Sequence, residues 1–414
     1  MSKWYKIDNA GHLYSAITST RVTTLFRISV DLLENINIEC GNYALEETLK
    51  RYPFLKSYVR PGFFWFYLRE SKVYPKIEPE EFFPSMNLYL KDVGKFPFRI
   101  LYYNKKFSFE FSHILFDGES ATRFIQVYLN YYFFKLGYIK DIKDEYTKNN
   151  YTDDERENAF KKYYKKNVPS IKFTKKAYKF KYETSPKGSF YVVSGLMKLH
   201  DVKKVAKEYN ASIFVFLTAL YFKTIIDTIP NINRPIVMNI PVSLRNYYPS
   251  NTLSNFFVTI TPSIDVRLGD YRLEEIIDYL NKYLSITLNK KNMQCYLNSS
   301  AKHNEKLYYR LLPLLLKNII LPKVYNKYGE KNYTSSVSNL GLIKFNSEIE
   351  NFIDRFEFFA PPSTGNLVKC TMSSYKDNLT FCFSKLTLET ELEREFFRKL
   401  KKLGITAYVE NNNN

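Results

Sequence analysis

A histidine, an aspartate and a glycine in the run HILFDG at residues 113–118 are the residues best placed to do chemistry. A neutral imidazole has an unperturbed pKa of about 6.5, so His113 would accept a proton at neutral pH and return it later. Such a group activates a hydroxyl or a thiol as a nucleophile. His113 is therefore the candidate general base; the alternative is that it only caps a strand or donates to a nearby carbonyl.

The residues around His113 predict the elements that would position it. Aromatic and polar residues alternate from Phe107 to Ser112, a period of two that predicts a half-buried strand ending at the histidine. Residues 118–134 predict a helix. Asp117 stands where an N-cap carboxylate would accept backbone N–H bonds, and Gly118 lets the chain turn without a Cβ clash. Asp117 is thus assigned a structural role, capping the helix or pairing with a buried arginine.

Polar residues in the second half of the chain would complete a site. Arg245 follows an apolar strand, where a guanidinium is costly unless it is paired, so it would meet Asp117 or line a pocket; a surface loop is the alternative. Ser336, Ser338 and Asn339 supply hydroxyl and amide donors of the kind that stabilise a developing oxyanion. The alternative is that these three are ordinary polar residues of a turn.

The other histidines and the cysteines lack the spacing of metal ligands or of a disulfide framework. His12 is expected in an opening loop, His200 ahead of a helix and His303 in a polar run, each structural or solvated. The four cysteines include no CxxC pair and are expected to be reduced and packed. No metal site is predicted. Missing P-loop, GxSxG and dinucleotide-binding motifs argue against a nucleotide triphosphatase, a serine hydrolase and a Rossmann enzyme.

The composition describes a chain with a large core and a basic surface. Of 414 residues, 45% are hydrophobic, and the formal charge is +19. The basic residues are scattered without a nucleic-acid motif, so nucleic acid is not an expected partner. The N-terminus lacks the apolar stretch of a secretory signal, and a cytoplasmic location is expected. Residues 307–325 are apolar but interrupted by charges and prolines; they predict a core-facing helix, with a helix lying on a membrane surface as the alternative.

Alternating strand and helix patterns predict an α/β (α+β) chain in two parts. Residues 1–138 hold the elements around His113. Residues 188–414 restart with a strand and close with a helix and a polar tail. Residues 139–187 are rich in charge and are expected to form a crossover linker with some local helix.

The run at 113–118 resembles the HxxxDG motif of the coenzyme A-dependent acyltransferase superfamily, which includes chloramphenicol acetyltransferase and condensation domains. Residues 4–10, 241–245, 255–257 and 338–341 are also similar to the bacterial alcohol acetyltransferase-like branch. The resemblance implies two chloramphenicol-acetyltransferase-like subdomains with mixed sheets. It places an active-site tunnel between them, with His113 near its middle.

The same resemblance implies direct acyl transfer. An acyl group, expected to be acetyl, would pass from acyl-CoA to the hydroxyl of a small-molecule acceptor, with acyl-CoA as co-substrate and no permanently bound cofactor. His113 would deprotonate the hydroxyl, and a donor from the second half would bind the oxyanion. Asp117 would orient the loop, with Arg245 in support.

Two departures from the superfamily keep other interpretations open. Ser112 stands where condensation domains usually carry a second histidine, and the DFGWG motif of the plant enzymes is missing. One alternative is an enzyme that takes its acyl group from an acyl carrier protein, whose acidic surface would meet a basic patch. The other is a non-catalytic binding protein on the same fold, in which aromatic side chains would block the tunnel at His113.

Overall fold

The structure, a computed structural model, describes residues 3–18, 23–81, 83–86, 88, 95–147, 152–171, 176–302, 306–345 and 347–412. His303 lies outside these residues. The strands are β1 (Trp4–Lys6), β2 (Leu25–Leu32), β3 (Ser57–Pro61), β4 (Phe66–Glu70), β5 (Glu78–Pro79), β6 (Phe98–Tyr103), β7 (Lys106–Ser112), β8 (Tyr191–Lys198), β9 (Ile236–Ser243), β10 (Phe257–Ile260), β11 (Ser263–Ile264), β12 (Ser335–Ile343), β13 (Ile353–Phe359), β14 (Val368–Tyr375), β15 (Asn378–Lys385) and β16 (Ala407–Asn411). The helices are α1 (Asn9–Ile17), α2 (Ile38–Arg51), α3 (Gly118–Lys135), α4 (Ala159–Tyr163), α5 (Leu199–Glu208), α6 (Ile213–Thr228), α7 (Leu273–Thr287), α8 (Lys290–Ala301), α9 (Leu307–Leu311), α10 (Leu314–Tyr328), α11 (Ser347–Glu350) and α12 (Glu391–Lys402).

The first lobe is built on a mixed sheet in the order β13-β2-β7-β6-β5. β6 and β7 form a hairpin, which turns through Asn104 at a positive φ of 48°. The phenylalanines of β7 are fully buried, and their rings meet α3 edge to face, as Phe109 does with Tyr128 at 5.1 Å between centroids. This packing fixes the end of β7, which sets where His113 leaves the sheet.

The second lobe is built on a larger mixed sheet in the order β10-β9-β12-β14-β15-β8-β16, with β11 also paired to β9. β12 runs parallel to both β9 and β14, and the other pairs are antiparallel. α6 is apolar nearly all round and lies in the core, where α12 packs beside it. A third, antiparallel sheet has the order β1-β4-β3. The predicted α/β (α+β) class with mixed sheets is confirmed.

One strand of the first sheet comes from the second half of the chain. β13 pairs antiparallel with β2, from Ile353 opposite Leu32 to Phe359 opposite Arg27. Its side chains Phe356 and Phe358 belong to the core of the first lobe. Residues 188–414 therefore do not fold as one separate subdomain, because the strand at 353–359 completes the sheet that carries His113.

The predicted crossover linker contacts both lobes. It contains a short 3-10 turn at 153–156 and the helix α4. Glu155 accepts two hydrogen bonds from the Arg51 guanidinium of the first lobe, at 2.7 and 2.8 Å, and its carbonyl accepts one from Leu253 N–H of the second. Phe160 is buried in the core of the second lobe. The described parts of this segment, 139–147, 152–171 and 176–187, thus pack against the protein and connect the two lobes.

The described residues near both ends, 3–18 and 407–412, contain more regular structure than the sequence suggested. The opening loop expected around His12 is the helix α1, and the His12 ring packs on Trp65 at 4.5 Å between centroids. Burial lowers the pKa of His12 to about 3. The expected polar tail is also wrong for Asn411 and Asn412: Asn411 pairs with Val193 in the second sheet, and the Asn412 side chain donates to a backbone carbonyl.

The prediction of a core-facing helix at 307–325 holds for only one side of α10, on which Leu314 and Leu321 are buried. The segment forms two helices, α9 and α10, and α10 keeps several large apolar side chains exposed. In the part of the chain that the structure describes, no single helix is long and apolar enough to cross a membrane. α5 and α6 reach that length only together, across a bend of 76°.

The strand β7 is buried on both faces rather than half-buried, because ion pairs satisfy its polar side. Arg27 Nε donates to Glu110 Oε1 at 2.8 Å, and Arg99 Nε donates to Glu110 Oε2 at 2.7 Å. Burial alone would raise the pKa of Glu110, but the two guanidiniums hold it below its usual value. Glu80 pairs with the other end of Arg27.

We expect Glu110→Ala to lower the free energy of unfolding by about 3–5 kcal/mol, because it removes the only carboxylate that Arg99 contacts in the described residues and leaves the buried Arg27 with Glu80 alone. Urea unfolding followed by circular dichroism measures this change. Glu208→Ala, on the exposed face of α5, is the control and should change stability by less than about 0.5 kcal/mol. Equal effects of the two substitutions would contradict a structural role for the Glu110 cluster.

Candidate active site

A cavity of about 900 Å³ lies between the two lobes. Its walls come from α1, β2 and the loop after β7 on one side, and from β9, β10 and β12 on the other. The aromatic and polar side chains that line the cavity include Tyr14, Phe26, His113, Asn239, Phe257, Ser336, Ser338 and Lys369. A cavity of this size, mostly apolar with a few converging polar groups, is typical of small-molecule sites.

His113 stands at the wall of this cavity, one residue beyond β7. Its backbone N–H donates to the Thr24 carbonyl at 3.1 Å, which fastens the start of the loop to β2. The imidazole lies against the rings of Tyr14 and Phe26, with centroids 5.0 and 4.6 Å away. Burial lowers the pKa of His113 to about 4, although a hydrogen bond to Asn255 Oδ1 and the charge of Asp117 oppose the shift. The imidazole is therefore neutral at pH 7.

Asn255 determines which imidazole nitrogen carries the proton. Its Nδ2 donates to Asp8 Oδ2 at 2.9 Å and to the His113 carbonyl at 2.8 Å, and both of these atoms are acceptors only. Asn255 Oδ1 therefore faces His113 Nδ1, 3.3 Å away, and that nitrogen must donate the hydrogen bond. The lone pair of the ring is left on Nε2.

Asp8 holds Asn255 in this orientation. It caps α1 by accepting from Gly11 N–H at 2.5 Å with one carboxylate oxygen, and it accepts from the Asn255 N–H at 2.8 Å and from the Asn255 amide with the other. Burial raises the pKa of Asp8 to about 6, against the effect of these hydrogen bonds. An aspartate, an amide and an imidazole thus form a continuous chain from α1 to the cavity.

Asp117 joins the two lobes. Oδ1 accepts from Ser120 N–H at 3.1 Å as the N-cap of α3, while Oδ2 accepts from Phe256 N–H at 2.9 Å and from Arg245 Nη1 at 2.8 Å. Burial alone would raise the pKa of Asp117, but Arg245 and the N–H donors lower it. Both oxygens of this carboxylate accept hydrogen bonds from structural partners, three in all, so its geometry suits positioning rather than proton transfer.

Arg245 meets Asp117, one of the two placements that the sequence left open. Its Nη2 donates to Ser120 Oγ at 3.0 Å and to the carbonyls of Thr252 and Ser254 at 2.9 and 3.0 Å. The guanidinium therefore ties the first turn of α3 to residues 252–254 of the second lobe. It also lines the cavity.

Gly118 lies close to a side chain of β12. A Cβ at this position would stand 2.7 Å from Leu340 Cδ2, so a larger residue would require the Leu340 side chain to move. The turn itself does not need a glycine, because Gly118 is absent from the residues at positive φ.

The three oxyanion candidates have different surroundings. Ser336 and Ser338 point to the same side of β12, line the cavity and make no side-chain hydrogen bond within the described residues. Asn339 uses its Oδ1 to accept from Gly341 N–H at 2.8 Å, in a bulge of β12 where Gly341 has a φ of 75°. Asn339 thus stabilises a turn, while the two serines keep free hydroxyls at the cavity.

Two polar side chains of the cavity wall were not predicted from the sequence. Asn239 lies opposite Ser336 on β9, and its Oδ1 is buried without a hydrogen-bond partner in the described structure. Lys369 donates to the Pro361 carbonyl at 2.7 Å, and its charge contributes to the low pKa of His113. Nothing in the local sequence of either residue marks it; both face the cavity only because neighbouring strands align them.

No cluster of three or more histidine, cysteine or carboxylate groups stands close enough to hold a metal ion within the described ranges. Cys40, Cys370 and Cys382 are buried free thiols and Cys295 is half-buried. His200 pairs with Asp377 at the surface, at 2.7 Å.

Comparison with solved structures defines the class of fold, which is that of coenzyme A-dependent acyltransferases and condensation domains. F. graminearum TRI101 with ethyl coenzyme A has a TM-score of 0.67 and 10% identity, over 98% of this chain and 100% of that one. Polyketide synthase associated protein 5 from Mycobacterium tuberculosis has a TM-score of 0.63 and 11% identity, over 96% of each chain. The first condensation domain of the CDA synthetase has a TM-score of 0.60 and 12% identity, over 97% of this chain and 96% of that one.

The fold implied by the HxxxDG run is thus confirmed, while the narrower alcohol acetyltransferase-like branch stays a prediction. No protein-family model and no curated protein matches the sequence. At 10–12% identity the likeness concerns the fold, so the chemistry has to be argued from the site itself.

We expect NMR of ¹⁵N-histidine-labelled protein to show His113 as the neutral tautomer protonated at Nδ1, down to pH values near its pKa of about 4. Asn255→Ala removes the acceptor for Nδ1–H and should bring the Nε2–H tautomer into the spectrum. His113→Gln identifies the signal, and His200→Gln is the control. A predominant Nε2–H tautomer in the unaltered protein would contradict the geometry described for Asn255.

Proposed function

We propose that the chain is an acyltransferase that moves an acyl group, acetyl in the simplest case, from acyl-CoA to the hydroxyl of a small-molecule acceptor, with His113 as general base. The observation that carries this proposal is the orientation of His113. Its Nδ1–H is held by Asn255 beside the cavity, so the neutral ring offers the Nε2 lone pair to a bound substrate. Acyl-CoA is a co-substrate in this scheme, and no permanently bound cofactor takes part.

Direct transfer needs one base and one oxyanion site. His113 Nε2 takes the hydroxyl proton as the acceptor oxygen attacks the thioester carbonyl, forming a tetrahedral oxyanion. The oxyanion collapses with cleavage of the carbon–sulfur bond, and the imidazolium gives its proton to the leaving thiolate. The ring returns to the Nδ1–H tautomer, because Nδ1–H donates to Asn255 Oδ1 in every step and only Nε2 gains and loses a proton.

Ser336 and Ser338 are the groups we assign to the oxyanion. Both hydroxyls are free to donate, and both lie on the wall contributed by the second lobe, opposite His113. The positive charge of Lys369 acts on His113 and would also favour the developing negative charge. Asn339 is the weaker candidate, because its side-chain oxygen is engaged with Gly341.

Two alternatives make different demands on the molecule. An acyl carrier protein as donor is favoured by the likeness to a condensation domain and to a polyketide synthase associated protein. A non-catalytic binding protein would not need His113 open to the cavity. Because His113 lines a space of about 900 Å³ instead of being enclosed by aromatic rings, the geometry favours an enzyme.

The first test is thiol release from acetyl-CoA by the purified protein with a panel of alcohols. We expect release to require an acceptor and to fall by about 10²–10⁴-fold in His113→Ala, the usual contribution of a general base. His200→Ala, an exposed histidine of the second lobe, should keep the full rate. Ser336→Ala and Ser338→Ala should lower kcat more than they change KM.

Two results of this assay would contradict the proposal. If no alcohol gives acceptor-dependent release and coenzyme A does not bind, acyl-CoA is not the donor. Release from an acyl-loaded carrier protein would then support the carrier-dependent alternative. Release unaffected by His113→Ala would remove the histidine from its assigned role.

The pH dependence of kcat/KM gives a further prediction. The pKa of His113 lies at about 4, so the base stays unprotonated as the pH falls through 6.5, and we expect the rate to persist to about pH 5 and then decline. Asp8, with a pKa of about 6, exchanges no proton with substrate in this scheme, so its titration should not abolish the rate. An acidic limb centred near 6.5 would contradict the low pKa of His113, provided that circular dichroism shows the protein folded throughout.

A further inference from the structure

α10 exposes its apolar side to solvent. Leu315, Leu316, Ile319, Ile320 and Val324 form what we call the outer face of α10, and Leu315 is 79% exposed and Ile319 58%. At 100° per residue these side chains share one half of the helix. Large aliphatic side chains at this exposure are unfavourable in water, so the outer face of α10 requires an explanation.

The opposite side of α10 holds a lysine. Lys317 is buried, and its Nζ donates to the Phe64 carbonyl at 3.0 Å and lies 3.2 Å from the centroid of the Trp65 ring. Leu314 and Leu321 are buried on the same side as Lys317, so α10 packs on the protein through that side. The outer face is apolar as well, whereas a helix that packs on a core through one side normally presents polar residues to water on the other. This arrangement indicates that the outer face of α10 meets an environment less polar than water.

The apolar surface continues onto neighbouring segments. Phe63, in the turn between β3 and β4, is 74% exposed and accepts the Leu314 N–H at 2.9 Å through its carbonyl, which places it beside the N-terminus of α10. Leu311 of α9 is exposed as well. Together these residues extend the outer face of α10 into a patch larger than one helix turn.

Positive charge surrounds the patch. The sequence from 306 to 329 contains five lysine or arginine residues and no aspartate or glutamate. Lys306, Arg310 and Lys323 are exposed around α10, while Lys317 serves the interior. An apolar face with basic flanks is complementary to an anionic lipid surface. A second copy of the chain fits less well, since a two-fold contact would bring like charges together.

The same helix borders the cavity. Val324 and Tyr325 contribute to its wall, and α10 packs on α1, whose Tyr14 lies against the His113 ring. A surface laid on the outer face of α10 would therefore lie next to one side of the cavity. An amphiphile with an apolar tail could pass from that surface to His113 without crossing bulk water.

We propose that the outer face of α10 docks on an anionic lipid membrane and that the hydroxyl acceptor of the site is a membrane-resident amphiphile. The docking stands on the surface alone, and the acceptor class rests on the proposed acyl transfer. α10 lies in the interface in this arrangement and does not span the bilayer.

Vesicle flotation tests the docking without any catalysis. The full-length protein is mixed with vesicles of equimolar phosphatidylcholine and phosphatidylglycerol, or of phosphatidylcholine alone. We expect flotation with the anionic vesicles, weakened by salt, and a loss of about tenfold or more in affinity for Leu315→Gln/Ile319→Gln. Leu268→Gln/Leu388→Gln is the control and should float normally, because its side chains are 80% and 59% exposed, far from α10 in sequence.

Flotation failure, or equal flotation of the two double variants, would overturn the docking. A dimer of the unaltered protein that Leu315→Gln/Ile319→Gln converts to a monomer in light scattering would assign the outer face of α10 to a second copy instead. Acyl transfer is measured separately. The variant should retain thiol release with a water-soluble alcohol and lose it with a long-chain alcohol held in anionic vesicles, so failure of the docking and failure of the acyl transfer are distinguishable.

Discussion

The buried contact of Asp117 with Arg245 is the interaction on which the site depends. Asp117 also accepts the Phe256 N–H, and the neighbouring Asn255 N–H is accepted by Asp8 on the other side. Residues 252–256 are therefore held by the carboxylates of Asp8 and Asp117 from the first lobe and by the guanidinium of Arg245 from the second lobe. This clamp presents the Asn255 amide to His113, so the tautomer of the base is a property of the joint between the lobes. An unpaired partner in such a buried joint would be strongly destabilising.

The packing around β7 also explains how the side chain of a residue one step beyond a strand is held in a fixed position. The aromatic side of β7 is packed against α3, and its polar side is neutralised by Arg27 and Arg99, so the strand has no freedom to shift. Tyr14 and Phe26 then hold the ring and lower the pKa of His113 by excluding water. Tyr14, Phe26 and Asn255 therefore contact the imidazole, and the ring also borders the cavity.

Much of the fold follows from local pattern, and much of the site does not. The hairpin of β6 and β7, the N-cap at Asp117 and the helix α3 are written in neighbouring residues, as is the buried helix α6. Asp8 and Asn255 are far apart in sequence and are ordinary polar residues in their own surroundings. Only the folded chain brings them together, so periodicity and spacing could not identify them. The half-buried strand expected at 107–112 is fully buried for a related reason, since the two arginines that pair with Glu110 come from other strands.

The exchange of β13 into the first sheet has a consequence for the order of folding. A chain emerging from the ribosome presents β2 and β7 long before residues 353–359 exist, so β2 remains an open sheet edge while β8 to β12 of the second lobe are made. The sheet that carries His113 is thus begun first and completed only when most of the second lobe has been synthesised. The exposed edge of β2 in that interval is also the place where a nascent chain would need protection by a chaperone.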